Sequence, residues 1–599
     1  MKATPRSEIR SDDRWNAESV FASPDDFRAA AQELIDLLQQ ARTFAGSLTS
    51  TSEALKRWFD YRDAVSLKAG KLRVYATMAY STDTQDKVAA ELYAQYLSLA
   101  GKLAEALAFA EPELIAAGFE RLRRLIDTPE LRHYGYYLDR LERQAAHTRS
   151  AEVETLLGAL ADPFATSVST HGILANTDFV FEPARDSQGE SHDITQGTIN
   201  QLLGSRDRTL RKSAYESYAD KHLAFRNSMA AMLAAGIKQN VFLARARRYA
   251  SALEASLKPL GLPLAVFYNL IATFKANLPV WHRYWRAKRR MLGLDDFHPY
   301  DIKAQLAASH PVIPFVQSVD YLTEALAPLG EDYVTRMRRG ALEERWVDKY
   351  PNIGKRMGAF STGSPATYPF IMMSYSDDVF GMSTLAHELG HSLHTLFSNE
   401  AQPPVYARYS LFAAEVASNF NQAMLRHYLF EQTAGDDNFQ LALIEEAMAN
   451  FYRYFFIMPT LARFELELHE RIERSEALSS DSLIDLMADL FAEGYGAEVV
   501  MDRERVGITW AQFHTHLYSK FYVYQYATGI SGAHALANGI LAGQSGAAER
   551  YLDFLKAGGS KDPLDALREA GVDLAEPTAV EETFGVLEGL VARLEGLIN

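Results

Sequence analysis

A mainly α protein is what this sequence predicts, and three observations carry the prediction. Apolar residues recur at helical spacing through most of the chain. Glycine and proline mark the stops, as in "LKPLGLP" (257–263). Only two segments break the pattern with turn residues around short extended pieces. In chain order, "SPDDFRAAAQELIDLLQQARTFAG" (23–46) offers Ser23 as an N-cap, followed by acidic residues in the first turn. The same spacing predicts helices within 85–110, 150–165, 207–245, 440–475 and 480–493.

The first break, "FVFEPARDSQGESHDITQG" (179–197), sets a polar, glycine-containing turn between extended pieces and predicts a hairpin. Taken as a boundary, it separates an N-terminal helical region, 1–200, from the remainder, 201–599. The second break, "GAFSTGSPATYPFIMMSYSDD" (358–378), holds an apolar run from Phe370 to Tyr375 that is too short for a typical helix. It lies between turn signals and predicts a strand. Helical periodicity resumes at "MSTLAHELGHSLHTLF".

The 599 residues are 48% hydrophobic and 23% charged, enough to bury a sizeable core. A net charge of −16 argues against a nucleic-acid partner. There is no cysteine, so disulfides and thiolate chemistry are excluded and any metal must be held by His, Asp or Glu. The N-terminal "MKATPRSEIRSDDRW" has no signal-like apolar stretch, and no apolar run has bilayer length. The expected location is the cytoplasm, with no membrane partner.

"TLAHELGHSLH" (384–394) is the candidate metal site. On a helix His387 and His391, at i and i+4, aim two imidazoles at one ion. Glu388 is turned about 100° around the axis, where a general base stands to deprotonate the water that a zinc ion activates. His394 is excluded as the third ligand, because a third turn lies about 5 Å further along the axis. The long zincin pattern would also need Gly at 394 and His at 397, where this chain has His394 and Phe397. Glu415 is the only acidic residue in the helical, mostly apolar "LFAAEVASNFNQAML" (411–425). A carboxylate there calls for an arginine or a metal, and we assign Glu415 as the third zinc ligand.

"WAQFHTHLYSKFYVYQYATGISGAH" (510–534) concentrates four tyrosines and three histidines. Tyr518, Tyr522 and Tyr526 follow an i, i+4, i+8 line that could project into one cleft. There, with a histidine, they would donate to a developing oxyanion. Core or interface packing is the other reading of such tyrosines.

Together, "GKRMGAFS" (354–361), "TLAHELGHSLH", "AAEVASNFNQ" (413–422) and "HLYSKFYVYQYATG" (516–529) resemble the oligoendopeptidase F family of the thimet oligopeptidase superfamily. A weaker likeness extends to "DRWNAESVF" and "RTLRKSAYESY" (208–218). The resemblance implies a two-lobed helical body with a deep central channel and a small β-sheet beside the zinc-binding helix. It implies that 201–599 is the catalytic region and that one Zn2+ is held by His387, His391 and Glu415. Glu388 would be the general base and acid, and His516, Tyr522 and Tyr526 would stabilise the transition state. The substrates would be short unfolded oligopeptides, cut internally after pairing with the strand in 358–375. A zinc dipeptidyl- or carboxypeptidase on a related fold and a non-catalytic peptide binder are the rival readings. Two departures from the family pattern are Gln422, where relatives often carry an acid supporting the zinc ligands, and Phe521, where they often carry tyrosine.

Overall fold

A computed structural model describes residues 4–598, which are 69% helical with one two-stranded and one three-stranded sheet. The mainly α expectation holds. Ser23 Oγ accepts the Asp26 N–H at 3.2 Å and starts the helix Pro24–Gln39, whose buried face is Phe27, Ala31, Leu34 and Leu38. The segment 85–110 forms Lys87–Leu107, and 207–245 forms Arg208–Ala224 and Arg226–Ala246. The segment 440–475 splits into Asp437–Tyr452 and Met458–Glu473 around a π-helical turn ahead of Pro459.

Both breaks in periodicity contain strands. β1 (Ala184–Arg185) pairs antiparallel with β2 (Ser191–His192), and Gly189 at φ +82° closes the turn. β3 (Val347–Asp348), β4 (Phe360–Thr362) and β5 (Phe370–Met372) lie in the order β3-β5-β4. β5 runs parallel to β3 and antiparallel to β4, which leaves β4 at a sheet edge. The strand expected from Phe370 to Tyr375 ends at Met372, although the Met373 and Tyr375 N–H groups still donate to the Asp348 and Lys349 carbonyls.

The chain forms two compact units, each assembled from three segments. One takes residues up to Thr148, Val312–Leu429 and Leu536–Val572; the other takes Arg149–Pro311, Phe430–Ala535 and the chain from Asp573 onward. Compactness thus partitions the chain differently from the linear division at residue 200.

The reason is visible in the first unit, where the N-terminal segment packs on the sheet. Trp15 lies edge-on to Phe370 with centroids 5.0 Å apart, and its backbone N–H donates to Asp348. Asp348 is fully buried between Arg6 at 2.5 Å and Lys355 at 2.7 Å. Burial pushes its carboxyl up, but the two cations outweigh that and hold it below its ordinary value. Arg73, on the long helix Ser52–Thr82, donates to Thr362 Oγ1 and to the Gly363 carbonyl, fixing the end of β4. Replacing Arg6 with Ala leaves Asp348 with Lys355 and the Trp15 backbone N–H. It is expected to destabilise the fold by about 2 kcal/mol, read as a lowered urea midpoint; an unchanged midpoint would remove this staple from the account.

The second unit is centred on aromatic packing of Trp281, Trp285, Phe456 and Tyr495. Among the described residues no single helix is long and apolar enough to cross a membrane.

Candidate metal centre

The helix Val379–Ala401 begins at Asp378, whose side chain accepts the Gly381 N–H at 2.8 Å, and carries His387, Glu388, His391 and His394. The helix Leu411–Gln432 carries Glu415. Gly390 explains how the two helices approach. A Cβ there would stand 2.7 Å from Ser418 Cα and collide with the Ala417 carbonyl. The glycine inside the histidine motif therefore lets the backbones touch and brings Glu415 to the imidazoles.

The ligand atoms of His387, His391 and Glu415 all lie within 4.8 Å of one another. His387 Nε2 is 3.5 Å from Glu415 Oε2, and the two imidazoles stand at 87° to each other. Among the described residues no arginine is ion-paired with Glu415; its side chain faces His387 and accepts the Ser418 hydroxyl at 3.1 Å. His394 is turned away and stacks on Tyr409, with ring centroids 3.5 Å apart and planes at 4°. The Tyr409 hydroxyl also donates to the His391 carbonyl at 3.3 Å, a support that no sequence pattern announced.

Hydrogen bonds prepare the imidazoles. His387 Nδ1–H donates to Gln422 Oε1 at 3.1 Å, so that Nε2 is the nitrogen that faces Glu415. Gln422 is itself held by donating to Ser383 Oγ at 2.7 Å. Burial, reinforced by His387, pushes His391 down to about 4, so it is neutral at physiological pH. Burial pushes the Glu388 carboxyl up to about 7; Glu415 adds to that, while His387 and the Ser361 N–H oppose it. Glu388 is 5% exposed, and its Oε2 has no hydrogen-bond partner among the described residues. Replacing Gln422 with Glu would set a full negative charge against His387 Nδ1–H. Metal affinity is expected to tighten by about tenfold, measured by chelator competition, while the metal-free form melts lower because a buried charge has been added. Unchanged affinity would show that His387 basicity does not limit binding.

The second predicted cluster forms in the other compact unit. His516 sits on the short helix His514–Leu517, and Tyr526 on Tyr524–Leu541. Tyr522 and Tyr526 rings are 5.1 Å apart, His516 is 6.0 Å from Tyr526, and Tyr454 stacks on Tyr526 at 5.0 Å. The expected i, i+4, i+8 line is not realised. The chain turns between the two helices, with Phe521 at φ +46°, and Tyr518 packs instead near His171 and Gly236. Tyr454, from a distant segment, is the member that sequence spacing missed. One other described group has metal-like composition, Asp186, Glu190 and His192 on the β1–β2 hairpin. There Asp186 is already engaged by the Gln188 and Glu190 N–H groups and by His192.

Two imidazole nitrogens and one carboxylate oxygen are a donor set suited to a catalytic divalent metal such as zinc. Glu388, on the same helix as the two histidines, adds a buried carboxyl oxygen with no hydrogen-bond partner among the described residues. A His-Glu-x-x-His helix that meets a carboxylate from a second helix is the arrangement of the zinc metallopeptidases. Comparison with known proteins agrees. The profile described as peptidase family M3 matches residues 201–586, and the one described as oligopeptidase F matches 113–181. The chain is 33% identical to oligopeptidase PepF of Bacillus subtilis over 595 residues, covering 99% of this chain and 88% of that protein. It is likewise 33% identical to the group B oligopeptidase PepB of Streptococcus agalactiae, covering 99% and 98%. The crystal structure of oligoendopeptidase-F from Enterococcus faecium, 29% identical, superposes with a TM-score of 0.75 over 96% of this chain and 99% of that one. The chain belongs to peptidase family M3, among its oligoendopeptidase F members.

Proposed function

We propose that this chain is a zinc-dependent endopeptidase that hydrolyses internal bonds of short unfolded oligopeptides, with 201–599 as its catalytic region. The observation that carries the reading is Glu388, a buried carboxyl with a free oxygen next to the converging His387, His391 and Glu415 atoms. Those three would hold one Zn2+. When bound, it supplies Lewis acidity toward the scissile carbonyl and lowers the pKa of water.

The residues of the chain do the rest. An extended peptide adds to the edge strand β4 through main-chain hydrogen bonds. Glu388 takes a proton from the attacking water as the C–O bond forms. It then delivers that proton to the amine as the C–N bond breaks. His516, Tyr522 and Tyr526 are the proposed donors to the developing oxyanion, a role supported by their clustering and by the family motif they match.

The test is a digest of one defined decapeptide followed by mass spectrometry, with chelator and then with zinc restored. Internal cuts that vanish with chelator and return with zinc are expected. Stepwise loss from one terminus would replace the endopeptidase with an exopeptidase. Bound zinc with no turnover would replace the enzyme with a peptide-binding protein.

A further inference from the structure

Inside the second compact unit, Glu465 lies on the helix Met458–Glu473, fully buried and outside the residues given roles above. Its Oε1 accepts the Phe521 N–H at 2.6 Å, and its Oε2 has no partner among the described residues. Phe521 sits at φ +46°, a left-handed conformation that costs a bulky side chain about 1 kcal/mol or more. Such a conformation persists only where the surroundings over-determine it. Here the Phe521 ring is fully buried, 4.6 Å from the His469 ring and 5.9 Å from Phe267. His469 is held in turn, its Nδ1–H donating to the Glu465 carbonyl at 2.8 Å. The preceding Lys520 carbonyl accepts from Ser256 Oγ.

This turn separates Tyr518 from Tyr522 and Tyr526, bringing Tyr526 beside His516 and Tyr522 against Tyr526. We propose that Glu465 is a positioning residue: by accepting the Phe521 N–H it holds the left-handed turn that gathers His516, Tyr522 and Tyr526. The catalytic half of this inference rests on the peptidase reading above; the structural half does not. Burial pushes the Glu465 carboxyl up to about 8, against the opposing Phe521 N–H and Lys520, so it is largely neutral at pH 7. What the turn needs is therefore an acceptor oxygen at the right reach, and not a charge.

Two conservative variants separate these. Glu465→Gln keeps the reach and loses the ionisable group; Glu465→Asp keeps the carboxyl and withdraws it by one methylene. With zinc-loaded protein and a quenched peptide substrate, Glu465→Gln is expected to keep kcat within about twofold. Glu465→Asp is expected to lose about 10- to 100-fold in kcat with KM little changed, because misplacing a transition-state donor by about 1 Å costs rate at that scale. Hydrogen exchange of the Phe521 amide, which needs no activity, should stay slow in Glu465→Gln and quicken in Glu465→Asp. The reverse order of the two variants, or no difference between them, in exchange would overturn the positioning role. An exchange difference without the kcat difference would leave the turn and sink its catalytic consequence. Wild-type protein inactive on peptides would fault the peptidase reading, and the exchange result would still decide whether Glu465 holds the turn.

Discussion

Replacing Glu388 with Gln is expected to lower kcat by about 10³-fold while zinc stays bound. The amide keeps the size and hydrogen-bonding oxygen of the carboxyl but cannot take a proton, and positioned acid–base groups contribute roughly 10²- to 10⁴-fold. Retained zinc follows from geometry. Glu388 shares the helix with His387 and His391 but is not one of the three converging ligand residues. The fold should not suffer either, because burial disfavours the ionised carboxyl at this position and a neutral amide removes that penalty. The variant is expected to melt no lower than wild type, as for a residue kept for chemistry at the expense of stability. Peptide turnover, zinc content by elemental analysis and the melting temperature together check it. Turnover near the wild-type rate would end the general-base assignment, and lost zinc would mean that Glu388 belongs to the ligand set.

The convergence of His387, His391 and Glu415 is legible in the sequence, and the reasons are local. His387 and His391 sit four residues apart on a helix whose periodicity is plain, so their common face follows from helical geometry. Glu415 announced itself as the lone acid of an apolar helix, a placement that demands a partner. The hairpin at 184–192 and the strands within 358–378 were marked by turn residues between short extended runs.

What the sequence concealed depends on distant residues or on unusual backbone. The pairing of Arg6 with Asp348 links positions with no shared periodicity, and it draws the N-terminal segment into the unit that holds the sheet. The tyrosine line failed at Phe521, because a left-handed residue is normally signalled by glycine or asparagine and here a phenylalanine occupies it. Its anchor, Glu465, reads in sequence as one more helical glutamate among Glu467 and Glu470. Only its burial and the Phe521 N–H distinguish it.

Replacing Glu415 with Gln is expected to have the opposite signature to Glu388→Gln, losing zinc and activity together. The carboxylate oxygen is the acidic donor of the group, with His387 and His391 supplying imidazole nitrogens. A neutral amide oxygen is a far weaker zinc donor. Affinity should therefore fall by more than the roughly 10- to 100-fold that follows loss of a ligand's hydrogen-bond partner. Stability supplies a readout independent of catalysis. A metal that binds only the folded chain stabilises it by RT ln(1 + [L]/Kd), about 4 kcal/mol at a thousandfold excess over Kd. Wild type should melt markedly higher with zinc than with chelator, and Glu415→Gln should melt alike in both. The metal-free variant should stay folded, because the amide can still accept the Ser418 hydroxyl. Zinc bound at wild-type affinity would remove Glu415 from the ligand set. A zinc-induced shift that survives in this variant and disappears in His391→Ala would leave the two histidines as the whole of the site.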